Sequence, residues 1–144
     1  MSTQTILYTN LSQYYDLMCC DIDYQQQSQA VMRLHNLFGN GNKAHLDLAC
    51  GTGPHILHFI DAGYQSSGLD INAPMLAIAQ ARCPEAEFHL QNMNAFSLEQ
   101  PVSLITCFLY SVHYNPDIQQ LQQCFQHAFN ALSPAGMINT PWWQ

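Results

Sequence analysis

Apolar and polar positions along this chain follow two periods in turn, and their alternation predicts the elements. From Ala44 to Ala49 the residues are mostly apolar, as in a short strand buried at the centre of a parallel sheet. Pro54 to Ala62 changes to helical spacing: Ile56, Leu57, Phe59 and Ile60 form an apolar face, Pro54 lies in the tolerated first turn and Gly63 marks the stop. Gln65 to Leu69 reads as a second strand that delivers Asp70. Asn72 caps the next helix, with Pro74 in its first turn, Met75, Leu76, Ile78 and Ala79 on its packing face, and Pro84 beyond its end. A short third strand, Glu87 to Leu90, precedes a polar stretch from Gln91 to Phe96. Val102 to Leu109 is a nearly all-apolar fourth strand. Asn115, Pro116 and Asp117 cap a helix whose stripe is Leu121, Cys124, Phe125, Ala128, Phe129 and Leu132. Ser133 to Gly136 forms a turn, and Met137 to Thr140 begins a fifth strand. Strand and helix in alternation predict an α/β fold, a parallel sheet flanked by helices.

Residues 1–43 stand apart from this pattern as an N-terminal helical segment, and residues 44–144 carry the sheet. Tyr14, Tyr15 and Tyr24 stud the segment, and Val31, Met32, Leu34, Leu37 and Phe38 give its later part helical spacing, ended by Gly39 to Asn42. The tyrosines either pack this helix on the sheet or cover a pocket mouth.

Composition narrows the partners. Only 9% of residues are charged, and the net charge is −7 with Arg33, Lys43 and Arg82 as the only Lys or Arg. Nucleic-acid binding relies on neutralising phosphates with such residues, so a nucleic-acid partner is not expected, nor is an anionic membrane surface. No apolar run reaches the roughly 20 residues of a membrane span, and Met1 to Asn10 lacks the pattern of a signal peptide. Six cysteines without a C-x-x-C pair read as reduced thiols, which points to a cytoplasmic protein with no metal site. His55, His58 and Asp61, at spacings of three, read as polar residues of a surface helix rather than metal ligands.

The candidate chemistry centres on Asp47, Ala49, Gly51 and Gly53, where the first strand meets the first helix of the sheet. Two glycines there let a backbone approach a ligand closely. A dinucleotide fingerprint would place Gly or Ala after Pro54 and His55, but Ile56 stands there; with Ala49 as its first member, Pro54 takes the last place. A nucleoside without a pyrophosphate fits the turn better, and the scarcity of basic side chains agrees. Asp47 suits a cationic ligand, or else caps the turn. Asp70, at the end of the second strand, is placed to grip ribose hydroxyls. His113, after the fourth strand, is a candidate base of near-neutral pKa with Tyr110 and Tyr114 orienting, or else a loop-packing residue.

Three landmarks together resemble class I S-adenosylmethionine-dependent methyltransferases: Leu46 to Gly53; Gly68 to Asn72 with Pro74, Met75 and Leu76; and Leu132 to Gly136. The resemblance implies a Rossmann-like sheet that binds S-adenosylmethionine. Gly51 and Gly53 would lie under the methionine part, Asp70 would hold the ribose, Ile71 and Met75 would line the adenosine side, and Asn92 with Met93 would meet adenine. A narrower likeness joins Tyr15 to Met18, Asp23 with Tyr24, Thr106 to Phe108, Ser111 to Tyr114 and Pro141 to Trp143. These resemble dTDP-aminosugar N,N-dimethyltransferases, which implies Tyr15 and Tyr24 near the methionine end and the amine of a small molecule, a sugar nucleotide, as acceptor. Cys107 joins the cofactor candidates from the carboxyl end of the fourth strand. A homodimer is kept open. The chain departs from the family pattern at Asn92, Ser103, Ala135 and Thr140, where the family commonly has Asp, Asp, Gly and Glu. The family also continues for about two strands and an acceptor-binding insertion, so the resemblance implies a sheet truncated after the fifth strand. The alternative to an active enzyme is then a cofactor-binding module without its own acceptor site, inactive or dependent on a partner.

Overall fold

A computed structural model of the chain describes residues 22–108 and 117–140. Among them, β1 (Ala44–Leu48) is the central strand of a parallel sheet, between β2 (Gln65–Asp70) and β4 (Val102–Cys107). The outer strands are β3 (Glu87–Leu90) and β5 (Leu132–Asn139), in the order β3-β2-β1-β4-β5. Asp47 of β1 stands opposite Gly68 of β2 and Thr106 of β4, a register that sets the site. This is the Rossmann-like parallel architecture expected, with strand order reversing beside β1.

Among the described residues four helices cover the sheet: α1 (Tyr24–Phe38), α2 (Pro54–Asp61), α3 (Ala73–Arg82) and α4 (Ile118–Ala131). Each starts where its sequence supplies a cap. The Asp23, Asn72 and Asp117 side chains accept from the N–H groups of Gln26, Met75 and Gln120. Gly53, left-handed at φ 79°, precedes Pro54 at the start of α2.

Strand alternation divides the core. Leu46, Leu48, Leu69, Ile105 and Cys107 meet Phe96 and the α4 residues Cys124, Ala128 and Ala131 on one face. On the other face, Val31 of α1 and Phe59 of α2 pack with Tyr64, Leu104 and Phe108. Beside them, Ile56 of α2 packs with Leu76, Cys83 and Cys50. Helix α1 therefore belongs to the sheet's own core, with Val31 fully buried.

Three expectations change. His55 is not on the surface: its ring is 3% exposed, lies 3.7 Å from and parallel to that of Phe108, and its Nε2 is 2.7 Å from Gln27 Oε1. The aromatic stack and the amide partner are what make burial of a polar ring affordable. On α4 the stripe is rotated, so Cys124, Ala128 and Ala131 face the sheet while Phe125 and Phe129 are exposed. Small residues let that helix sit close, and the phenylalanines flank the contact rather than fill it. Finally, β5 begins at Leu132, before the turn. Its pairing steps from Val102–Leu132 to Leu104–Met137, so Ser133 to Gly136 form an excursion within the strand, with Ala135 left-handed at φ 62°. Asn40 holds this excursion by donating to Pro134 O at 3.0 Å. Ser103, buried at the start of β4, donates to the carbonyl of Asn42 and so ties the approach to β1.

Candidate functional site

The carboxyl ends of β1 and β2 are joined by the turn from Ala49 to Gly53, and that turn has little freedom left. Ala49, Gly51 and Gly53 have φ of 52°, 59° and 79°, the left-handed region that glycine occupies without strain. Cys50 N–H donates to Leu69 O at 3.1 Å, Gly51 N–H to Asp70 Oδ2 at 2.9 Å, and Gly53 N–H to Cys50 O at 3.1 Å. Three donors that a phosphate would need are therefore bonded within the protein. From the far side, the Arg82 guanidinium donates to Thr52 O at 3.1 Å, so one of the three basic side chains braces the turn.

Asp70 is fixed through both oxygens, since Oδ1 accepts from Asn72 N–H, also at 2.9 Å. Burial raises its pKa, and the N–H groups of Gly51, Asn72 and Ile71 oppose that by stabilising the ionised form. Each carboxylate oxygen retains further acceptor capacity for a pair of ligand hydroxyls. Beside it, Ile71 is 71% exposed and Leu90, at the end of β3, is 61% exposed. Two apolar side chains thus stand in the open next to a rigid acid, an arrangement that suits the flat face and the sugar of a nucleoside. Met75, buried under the turn, lies against Gly51, whose place a Cβ would bring within 3.5 Å of the Met75 sulfur.

Asp47 is a different acid. It is 2% exposed, its Oδ1 accepts from the Thr106 hydroxyl at 2.7 Å, and its pKa is pushed up to about 7. Burial is the main cause, the nearby charge of Asp70 adds to it, and the Thr106 bond opposes it. A cation arriving at this strand end would favour the ionised carboxylate.

The remaining expected residues divide. Asn92 is exposed past β3, and its Oδ1 accepts from Asn94 N–H at 2.8 Å, leaving acceptor capacity on the same oxygen. Met93 is half-buried against the α4-side core. Cys107 is 2% exposed and turns into that same core, on the opposite face of β4 from Thr106. Tyr24 begins α1 and meets the His55 ring edge-on at 4.9 Å, which places it at the amino end of α2 beside the glycine turn. Tyr15, Tyr110, Ser111, His113, Tyr114 and residues 141–144 lie outside the described residues. Among the described residues no three His, Cys, Asp or Glu side chains gather as metal ligands. Among them, too, no helix is long and apolar enough to cross a membrane.

Several residues at the site escaped the sequence reading. The packing role of Gly68 is one: a Cβ there would come within 2.7 Å of both Cys50 Sγ and Ile56 Cδ1, so a larger residue would force those side chains to shift. His45 is another. It is fully buried, its ring stacks on Phe59 at 4.0 Å, and it bonds Thr106, the partner of Asp47. Its signal was present, because His45 and Asp47 are two apart on a strand and so share a face. Arg82 gave no such signal.

With this geometry in view, known proteins supply the comparison. A family model described as a methyltransferase domain matches residues 46–136, more than half of the chain. The dTDP-3-amino-3,6-dideoxy-alpha-D-glucopyranose N,N-dimethyltransferase of Streptomyces fradiae is 32% identical over 84% of this chain and 48% of its own length. A dTDP-4-amino-2,3,4,6-tetradeoxy-D-glucose N,N-dimethyltransferase of Saccharopolyspora spinosa is 32% identical over 68% of this chain and 40% of its own. Among solved structures, DesVI of Streptomyces venezuelae superposes with a TM-score of 0.84 at 29% identity, covering 92% of this chain and 57% of that one. The chain spans about half the length of the curated relatives it matches. The family match runs from the centre of β1 through both acids and the glycine turn to the excursion in β5, and the chain belongs to the methyltransferase domain family.

Proposed function

We propose that this chain binds S-adenosylmethionine at the carboxyl ends of β1, β2 and β3 and transfers its methyl group to the amine of a small molecule, an amino sugar carried on a nucleotide. The observation that carries the reading is Asp70, an acid locked by Gly51 and Asn72 N–H groups beside the exposed Ile71. That pair fits a ribose and an adenine face, while the internally bonded turn N–H groups speak against a pyrophosphate. Asp70 would hold the ribose hydroxyls, Ile71 and Met75 the adenosine, and Asn92 with Met93 the adenine edge. Gly51 and Gly53 would lie under the methionine part, with Ala49 and Asp47 at its cationic end and Cys107 contributing from behind the strand edge.

S-adenosylmethionine supplies an electrophilic methyl carbon on a sulfonium leaving group. The protein's part is then mainly positioning: holding the amine in line at about 3 Å is worth roughly 7–11 kcal/mol. His113 is the proposed base that would free the amine lone pair, with Tyr114 orienting it, and by the family resemblance Tyr15 and Tyr24 would serve the methionine end. The names of the relatives support an amino-sugar nucleotide as acceptor. The net charge of −7 favours a small molecule over nucleic acid, and six cysteines without a C-x-x-C pair suit a reducing cytoplasmic setting. Self-association is read out by sedimentation of the purified chain.

Calorimetry with S-adenosylmethionine, S-adenosylhomocysteine and NAD tests the cofactor. The expected outcome is binding of the first two in the micromolar range; binding of NAD alone would overturn the reading. Turnover of an aminosugar nucleotide by the 144-residue chain then tests the acceptor.

A further inference from the structure

Four buried side chains link three strands in one unbroken line. Thr106 Oγ1 lies 2.7 Å from Asp47 Oδ1 and 2.9 Å from His45 Nε2, and His45 Nδ1 lies 2.9 Å from Ser66 Oγ. Asp47 and His45 belong to β1, Thr106 to β4 and Ser66 to β2, and none of the four is more than 7% exposed. Ser66 also lines a cleft with Gln65, Glu85 and Glu87, so the line runs from that cleft to the carboxyl end of β1.

Hydrogen-bond counting allows this line two arrangements. With Asp47 ionised, Thr106 must donate to it, so Thr106 accepts from an Nε2–H of His45, and His45 Nδ1 accepts from Ser66 O–H. With Asp47 protonated on Oδ1, the oxygen that faces Thr106, every bond reverses: Asp47 donates to Thr106, Thr106 to Nε2, and Nδ1–H to Ser66. Both arrangements use a neutral imidazole, and they differ in its tautomer. An imidazolium fits neither buried line, and burial together with the neighbouring His55 and His35 lowers the His45 pKa to about 3.

We propose that Ser66, His45 and Thr106 form a proton relay for Asp47, with His45 the positioning residue that exchanges tautomers as the carboxylate gains or loses its proton. The inference rests on the reading of Asp47 as the acid at the cofactor's cationic end. On protonation, the Ser66 proton moves to Nδ1, the Nε2 proton to Thr106 and the Thr106 proton to Asp47, while one proton from the cleft restores Ser66. One proton enters and one arrives. A ligand cation at the strand end drives the reverse transfer, so Asp47 discharges its proton away from the ligand side.

The groups facing the relay are few. Asp70 and Cys50 face Asp47 from β2 and the turn, and Phe59 and Tyr64 pack on the His45 ring. His55 from α2 and His35 from α1 lie near it, both with a pKa lowered by burial, and Lys43 lies over the Tyr64 ring.

Nitrogen NMR of His45 in the wild-type chain, followed from pH 5 to 9 alongside the Asp47 carboxyl carbon, tests the relay without any ligand. The expected result is an Nε2–H tautomer at high pH and an Nδ1–H tautomer at low pH, changing at the Asp47 midpoint. Thr106→Val should leave His45 in one tautomer throughout and raise the Asp47 midpoint, and Thr106→Ser should restore the coupled change. A single His45 tautomer across the range while Asp47 titrates in the wild-type chain would overturn the proposal, as would an imidazolium. S-adenosylhomocysteine binding, measured separately by calorimetry, tests the cofactor reading: no binding would sink that reading while the tautomer result still decides the relay.

Discussion

From β3 to β1 the carboxyl edge of the sheet is tied by polar groups, and from β4 to β5 the structure relies on apolar contact that is only partly covered. On the first side Asp70 clasps Gly51 and Asn72, Arg82 braces Thr52, and Cys50 N–H reaches back to Leu69. On the second side α4 presents Cys124, Ala128 and Ala131 to the core and leaves Ile118 and Phe129 at least 70% exposed. No Asp, Glu, Lys or Arg occurs between Ile118 and Asn139. The difference separates two tasks within one sheet. The β1–β2 end holds a few atoms in fixed directions, which needs paired donors and acceptors. The α4–β5 side is an uncharged surface whose phenylalanines contribute little to the fold as it stands.

The sharpest way to break this contrast is to remove one ring from each side. Phe59→Ala, under the His45 ring, should cost about 3–5 kcal/mol in urea unfolding, because a fully buried aromatic leaves a cavity. A loss below about 1 kcal/mol would show that the α2 face is looser than its burial implies.

Acidity gives the next test. Asp47 titrates at about 7 in the folded chain against an ordinary value of 3.8, so the folded state binds the extra proton between those values. This group therefore contributes stability below about pH 4 and loses it as pH rises through 7. His45 and His55 sit at about 3 against 6.5, so their contribution is present above 6.5 and lost as pH falls towards 3. Asp47→Asn should consequently gain stability relative to the wild-type chain at pH 8 compared with pH 5, read as the shift in urea midpoint. An identical difference at the two pH values would contradict the raised acidity constant.

Ligand binding ranks third. Asp70→Ala should weaken S-adenosylhomocysteine by about tenfold or more, the worth of a charge-assisted hydrogen bond pair. Unchanged affinity would remove the ribose assignment. The smallest effect belongs to Phe129→Ala, expected to move stability by no more than about 0.5 kcal/mol, since 70% of that residue already meets solvent. A larger loss would mean that the apolar side is held more firmly than its exposure indicates.

These contrasts also mark what was legible in the chain itself. The first three strands and the Pro54 and Asn72 helix starts follow from local signals, namely periodicity and caps, and stand in the fold, whereas β5 starts before the turn that its sequence suggests. What stayed hidden depends on partners distant in sequence. His55 reads as a surface histidine until Phe108 and Gln27 arrive beside it. Gly68 looks like any strand glycine until Cys50 and Ile56 press on it. The α4 stripe reads as apolar, but its rotation is set by the burial of Ala128 and Ala131, which the hydrophobic pattern alone does not rank above Phe129.

The reach of the His45 bonds has a consequence for the order of folding. His45 meets Ser66 across 21 residues and Thr106 across 61. Closing the longer loop costs about 1 kcal/mol more entropy than closing the shorter one, and contacts of longer range form more slowly. During synthesis, β1, the glycine turn and Asp70 emerge together, so Asp70 can find Gly51 and Asn72 while β4 is still to come. Asp47 must wait for Thr106. Asp70 can thus gain its partners before Asp47 does, because the Thr106 bond spans 59 residues and the Gly51 bond only 19.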